Sequence, residues 1–268
     1  MSAARLALSA GDARAEVSQH GAQVLSWRPA GPLRELLYLS PLATFAPGHP
    51  VRGGIPVLFP QFGLFGPLPK HGLVRAADWQ PLPTRGPHEA RLGLRDSAST
   101  RADWPFAFAL ELTVLLGLRS LTVRLQVHNT DARAFTFTAG LHTYLRVENA
   151  AAARLEGLAG HAYLDALDGL TPRGASGAEP PVASAVDRVY LAVASPVRLF
   201  DGALCVEIDQ TGFEDVVVWN PGGESTLPDL PPGAHTGMLC VEAAQIANPV
   251  TLAPGACWEG TQTLRAVG

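Results

Sequence analysis

The chain has 268 residues, 47% hydrophobic and 16% charged, with a formal net charge of −4 at pH 7. That is apolar material enough for a large core, and a single all-β domain spanning 1–268 is an ordinary size. The mild acidity implies no clustered basic face of the kind a nucleic-acid partner requires. No apolar run approaches the roughly 18 residues of a membrane helix, and the N-terminus MSAARLALSAGDARAEV lacks the long apolar core of a signal peptide. The expectation is a cytoplasmic, soluble monomer without a membrane partner. Cys205, Cys240 and Cys257 are odd in number and far apart, which points to free thiols in a reducing compartment and shows no metal-type spacing. Lysine and arginine total 20, and Lys70 is the one lysine, leaving 19 arginines. An isolated arginine therefore carries little functional weight.

Glycine (27) and proline (23) punctuate the whole chain, and no segment holds a helical period for long. Strand candidates begin at 22–27 and 35–39. The stretch 50–79, PVRGGIPVLFPQFGLFGPLPKHGLVRAADW, is apolar yet carries Arg52, Lys70, His71 and Arg75 among glycines and prolines. Phe106 to Leu118 is strand-like, 117–120 makes a turn, and Leu121–His128 alternates strictly, so Leu121, Val123, Leu125 and Val127 share one face. Further strands are expected at 134–147, 196–200, 204–210, 215–219, 238–243 and 256–265. Residues 168–187, polar and proline-rich, read as a surface loop. Many short strands between turn residues give an antiparallel all-β sandwich or barrel.

The chain has no GxxxxGK[ST] loop, no GxGxxG after a strand, no HExxH and no GxSxG, which disfavours a nucleotide enzyme, a zinc protease or a serine hydrolase. The remaining candidates are of another kind. Arg52 precedes Gly53-Gly54, where a backbone free of side chains admits a ligand and a guanidinium can fork onto a phosphate or a hydroxyl pair. The alternative is an arginine reaching from a loop into water. Lys70, His71 and Arg75 make an anion site if they converge and a solvated basic turn if they do not. His142, among small and apolar neighbours, is a proton carrier near neutral pH or a core histidine bonded to a carbonyl. Glu242, in MLCVEAA, is a costly buried carboxylate with a task or a residue facing water. Asp187 accepts from sugar hydroxyls or pairs with Arg188. Trp79 and Trp219 offer apolar faces for a sugar ring, though core packing is the commoner role.

These stretches together resemble the aldose 1-epimerase superfamily, and more narrowly its hexose-6-phosphate mutarotase branch. The resemblance rests on RGGIPVLFPQFG (52–63), KHGLVRAADW (70–79), LHTYLRV (141–147), DRVY (187–190), VVVWNP (216–221) and LCVEAA (239–244). It covers nearly the whole chain, and Lys70 stands where many relatives carry a small or amide residue. It implies a galactose-mutarotase-like antiparallel β-sandwich with an open sugar cleft. It also implies roles: His142 as the acid toward the ring oxygen, Glu242 as the base toward the anomeric hydroxyl, Arg52 and Arg75 at the phosphate, Asp187 at sugar hydroxyls, and His71 as a further site histidine. Lys70 would strengthen phosphate binding or reach another anionic group. Such a reaction needs no cofactor and no metal. The rival readings are a mutarotase for unphosphorylated aldoses and a non-catalytic carbohydrate-binding sandwich.

Overall fold

A computed structural model describes residues 4–182, 184–194 and 196–267. Two eight-stranded antiparallel sheets dominate it, with a third sheet of three strands. One large sheet runs, in spatial order, Thr171–Arg173, Tyr163–Asp165, Val186–Tyr190, Asp215–Asn220, Met238–Leu252, Phe135–Leu141 and Val57–Leu58, and Tyr144–Arg146 also pairs with Met238–Leu252. The other runs Arg154–Glu156, Val197–Asp201, Leu204–Thr211, Cys257–Val267, Ser120–Asn129, Phe108–Leu116, Glu89–Arg95 and Gln80–Pro81. The three-stranded sheet joins Arg5–Ala10, Ala13–Ser18 and Val24–Arg28. The antiparallel class and the sandwich expected from the pattern are both present.

The alternating hairpin forms as its periodicity dictates. Phe108–Leu116 pairs with Ser120–Asn129, and Leu121, Val123, Leu125 and Val127 all point into the core. Each buried valine or leucine is worth about 1.5–3 kcal/mol. One apolar cluster reaches from Leu8 to Ala266 and fills the space between the sheets. Among the described residues, no helix is long and apolar enough to cross a membrane.

Three expectations change. Residues 35–39 form no strand; Leu37 and Leu39 make isolated bridges to Leu145 and Gly53. The run 134–147 breaks into Phe135–Leu141 and Tyr144–Arg146, so His142 and Thr143 lie between strands. The 168–187 segment is not wholly a loop, since it contains the strand Thr171–Arg173 and the start of Val186–Tyr190; Ala183 within it lies outside the described residues. Among the described residues, one short α-helix, Ala98–Asp103, is set by the Ser97 capping box.

The glycines after Arg52 have a different task from the one the sequence suggested. Gly53 and Gly54 have φ of 110° and 62°, and an added Cβ would lie 2.4 Å from the Tyr38 carbonyl and 2.1 Å from the Val24 carbonyl. The close approach is backbone against backbone rather than backbone against ligand. It anchors the Arg52 segment to the three-stranded sheet through the Val24–Ile55 bridge.

Candidate active site

The site grows out of the register of the large sheet that carries Met238–Leu252. Asp187 lies opposite Trp219, and Trp219 opposite Cys240, which also pairs with Tyr144. Two residues along, Val189 lies opposite Val217, and Val217 opposite Glu242. Alternation places these two rows on one face. The intervening residues Val218 and Val241, and Ala243 just beyond Glu242, enter the core between the sheets. A hollow of about 370 Å³ lies over the outer face, a volume in the usual range for small-ligand sites. Arg52, Lys70, His71, Arg75, His142, Asp187 and Glu242 all line it. Segments far apart in the chain therefore bring all seven candidates to one place.

His142 and Glu242 face each other at its floor, with Nδ1 and Oε1 3.4 Å apart. No hydrogen bond joins them, and His142 Nδ1 and Glu242 Oε2 are buried without partners. Burial pushes the Glu242 carboxyl well above its usual range; nearby Asp187 adds to this and Lys70 opposes it. Burial also holds the His142 imidazole well below its usual value, assisted by His71 and by the cations of Arg52, Arg75 and Lys70. The His142 ring stacks on Tyr144, centroids 4.6 Å apart and planes 8° apart, and meets the edge of Trp219. From the opposite sheet, buried Gln262 accepts from Thr143 Oγ1 and donates to the Val241 carbonyl. One amide thus ties the Thr143 hydroxyl, next to His142, to the backbone next to Glu242.

The basic groups differ in state and support. Arg52 Nη1 donates to Tyr144 Oη at 2.9 Å, and its Nε donates to Asp229 at 3.1 Å, leaving other N–H groups free. Arg75 Nη2 donates to the Lys70 carbonyl at 3.0 Å. Lys70 is exposed at the rim. His71 is not a third cation: burial, then Arg75, Lys70 and Arg52, lower it to about 3. Its Nδ1 accepts the Gly63 N–H at 3.2 Å, so its proton resides on Nε2 and it is a neutral donor. Asp187 is raised to about 6 by burial, with Lys70 opposing and Asp165 assisting. Trp219 lines the hollow, whereas Trp79 is fully buried and donates to the Val74 carbonyl. His142, Cys240 and Glu242 also offer ligand atoms that all lie within 4.8 Å of one another.

The family model for aldose 1-epimerase matches residues 5–265. The chain belongs to the aldose 1-epimerase family. It is an isomerase on an all-β, galactose-mutarotase-like sandwich. A Cenchrus ciliaris protein, provisionally named a glucose-6-phosphate 1-epimerase, is 37% identical over 268 residues, covering 94% of this chain and 81% of its own. An Escherichia coli K12 protein with the same provisional name is 30% identical over 243 residues, covering 86% of this chain and 79% of its own. The crystal structure of a provisionally assigned mutarotase from Salmonella typhimurium superposes with a TM-score of 0.89 at 25% identity, covering 99% of this chain and 91% of that one.

Sequence reasoning missed several members of this site. Asp229, which holds Arg52 from 177 positions away, sits in a proline-rich loop with no local signal. Tyr144 lies within LHTYLRV, but nothing local to that stretch points to its support of Arg52 and His142. Cys240 reads in the sequence as a free thiol, although its place two residues before Glu242 puts both on one strand face.

Proposed function

We propose that the whole chain acts as one domain, a cytoplasmic monomer that interconverts the α and β anomers of glucose 6-phosphate or a related aldohexose 6-phosphate. The observation that supports this most is the buried His142–Glu242 pair sharing one sugar-sized hollow with Arg52, Lys70 and Arg75. Burial favours the neutral forms of both partners, so the pair carries its proton on Glu242 when empty. Transfer of that proton to His142 produces the carboxylate and imidazolium that the reaction uses. The carboxylate takes the proton of the C1 hydroxyl while the imidazolium protonates the ring oxygen. The C1–O5 bond breaks, C1 becomes an aldehyde, and rotation about the C1–C2 bond presents its other face. Closure reverses both transfers.

Each positioned acid or base contributes about 10²–10⁴-fold. In this reading Arg52 and Arg75 hold the phosphate, exposed Lys70 adds charge at the rim, and His71 Nε2–H and Asp187 meet hydroxyls. Phosphate binding orients the ring over the pair, so remote binding energy serves the chemical step.

Anomer-exchange NMR tests the reading. The expected result is faster α–β exchange of glucose 6-phosphate than of glucose. Equal or faster exchange of free glucose would refute a phosphate-directed site. Binding without any exchange would make the protein a carbohydrate-binding sandwich.

A further inference from the structure

Cys240 is a buried thiol that anomerisation does not use, yet it belongs to the floor of the site. We propose that His142, Cys240 and Glu242 form a binding site for a zinc-type divalent cation, and that its occupation switches the enzyme off. The regulatory half rests on the proposed role of His142 and Glu242 in proton transfer; the site itself rests on geometry.

Cys240 and Glu242 project from one strand face, and His142 meets them from the neighbouring segment. Their donor atoms lie within 4.8 Å of one another. Zinc bonds of about 2.3 Å to sulfur and 2.0–2.2 Å to nitrogen or oxygen put tetrahedral donors about 3.3–3.6 Å apart. The 3.4 Å between His142 Nδ1 and Glu242 Oε1 already matches such an edge, and a small inward shift of the thiol completes the set.

The imidazole nitrogen that faces the carboxylate, and the second oxygen of that carboxylate, lack any other use. His142 Nδ1 and Glu242 Oε2 are buried and unpartnered, with His142 7% and Glu242 1% exposed. Such atoms are costly to leave unsatisfied. The stacked Tyr144 ring holds the imidazole in place, as supporting groups do around a metal ligand. Thiolate, imidazole and carboxylate together suit a borderline-soft divalent ion. The hollow leaves its fourth position to water or a sugar hydroxyl. Cys240 is fully buried whereas His142 and Glu242 line the hollow, so the ion enters between the pair. Binding releases the protons of the thiol and the carboxyl and engages the lone pairs that proton transfer needs.

The exposed Cys257 Sγ lies 3.7 Å from His128 Nε2 and competes for soft metals, so the test uses the full chain carrying Cys257→Ala. Titration with cobalt(II) should saturate at one equivalent with a thiolate-to-cobalt charge-transfer band. Zinc should displace that band. Cys240→Ala should abolish it, and so should Glu242→Gln and His142→Gln, which decide the matter if Cys240→Ala fails to fold. Zinc should inhibit glucose 6-phosphate anomer exchange reversibly, with recovery on adding a chelator. Cys240→Ala should need at least about tenfold more zinc to halve its own zinc-free exchange rate. Cobalt binding that is absent, or unaffected by all three substitutions, would overturn the site. A Cys240-dependent band without inhibition would overturn the regulatory half. The same band on cobalt addition, from a protein that exchanges no anomers before any metal is added, would uphold the site and overturn the proposed function.

Discussion

Replacing Arg75 with methionine separates phosphate recognition from the chemistry. Methionine keeps much of the apolar stem and removes a guanidinium that donates to the Lys70 carbonyl at 3.0 Å. Arg75 is a cleaner site for this than Arg52, whose loss would also strand the partly buried Asp229 carboxylate and Tyr144 Oη. A charge-assisted hydrogen bond is worth about 1.5–3 kcal/mol. At 1.36 kcal/mol per tenfold change, one lost bond raises KM by roughly 10- to 150-fold. A second lost bond multiplies that factor. The contact lies far from C1, so most of the effect belongs in KM rather than kcat. Free glucose has no phosphate for Arg75 to hold, and its exchange rate should stay within about twofold of wild type by the same reasoning. Anomer-exchange NMR over a substrate series, on both sugars, measures the two constants. An unchanged KM for glucose 6-phosphate, or equal losses for both sugars, would refute the assignment of Arg75 to the phosphate.

Two further predictions concern the floor of the hollow and its wall. Glu242→Gln and His142→Gln should each lower turnover about 10²–10⁴-fold while circular dichroism and thermal midpoint stay near wild type. Near-normal exchange by either variant would remove it from the proton-transfer pair. His71, lowered to about 3 in the folded protein, takes up a proton near pH 6.5 once unfolded. The unfolded chain therefore binds more protons between those values, and stability falls as pH drops from about 6.5 toward 3, by several kcal/mol at most. Asp187, raised to about 6, pulls the other way between about 6 and 3.9, since its folded form binds more protons there. The diagnostic is thus the difference between wild type and His71→Asn in urea unfolding at pH 7, 5.5 and 4.5, asparagine being tolerated at the φ of 69° there. Parallel slopes for the two proteins would contradict a neutral, buried His71.

The all-β class and the hairpin Phe108–Asn129 were legible because a period of two is a local property: each residue reports its face through its neighbours alone. The seven candidate residues were legible one at a time through motifs, and all seven line the same hollow. Other features depended on contacts that no local window contains. Residues 35–39 look like a strand but find only isolated bridges. Thr171–Arg173 looks like loop but completes the edge of a sheet. The charge states are non-local too. His71 reads as a cation beside Lys70 and Arg75, yet those neighbours and its burial keep it neutral. The Asp229 support for Arg52, the Gln262 tie and the place of Cys240 beside Glu242 all arise from chain segments that meet only in the packed sheets. Sequence alone determined which side chains could do acid–base and anion chemistry. Tertiary structure decided which of them share a hollow, and in which protonation state, because distance and desolvation exist only once the sheets are assembled.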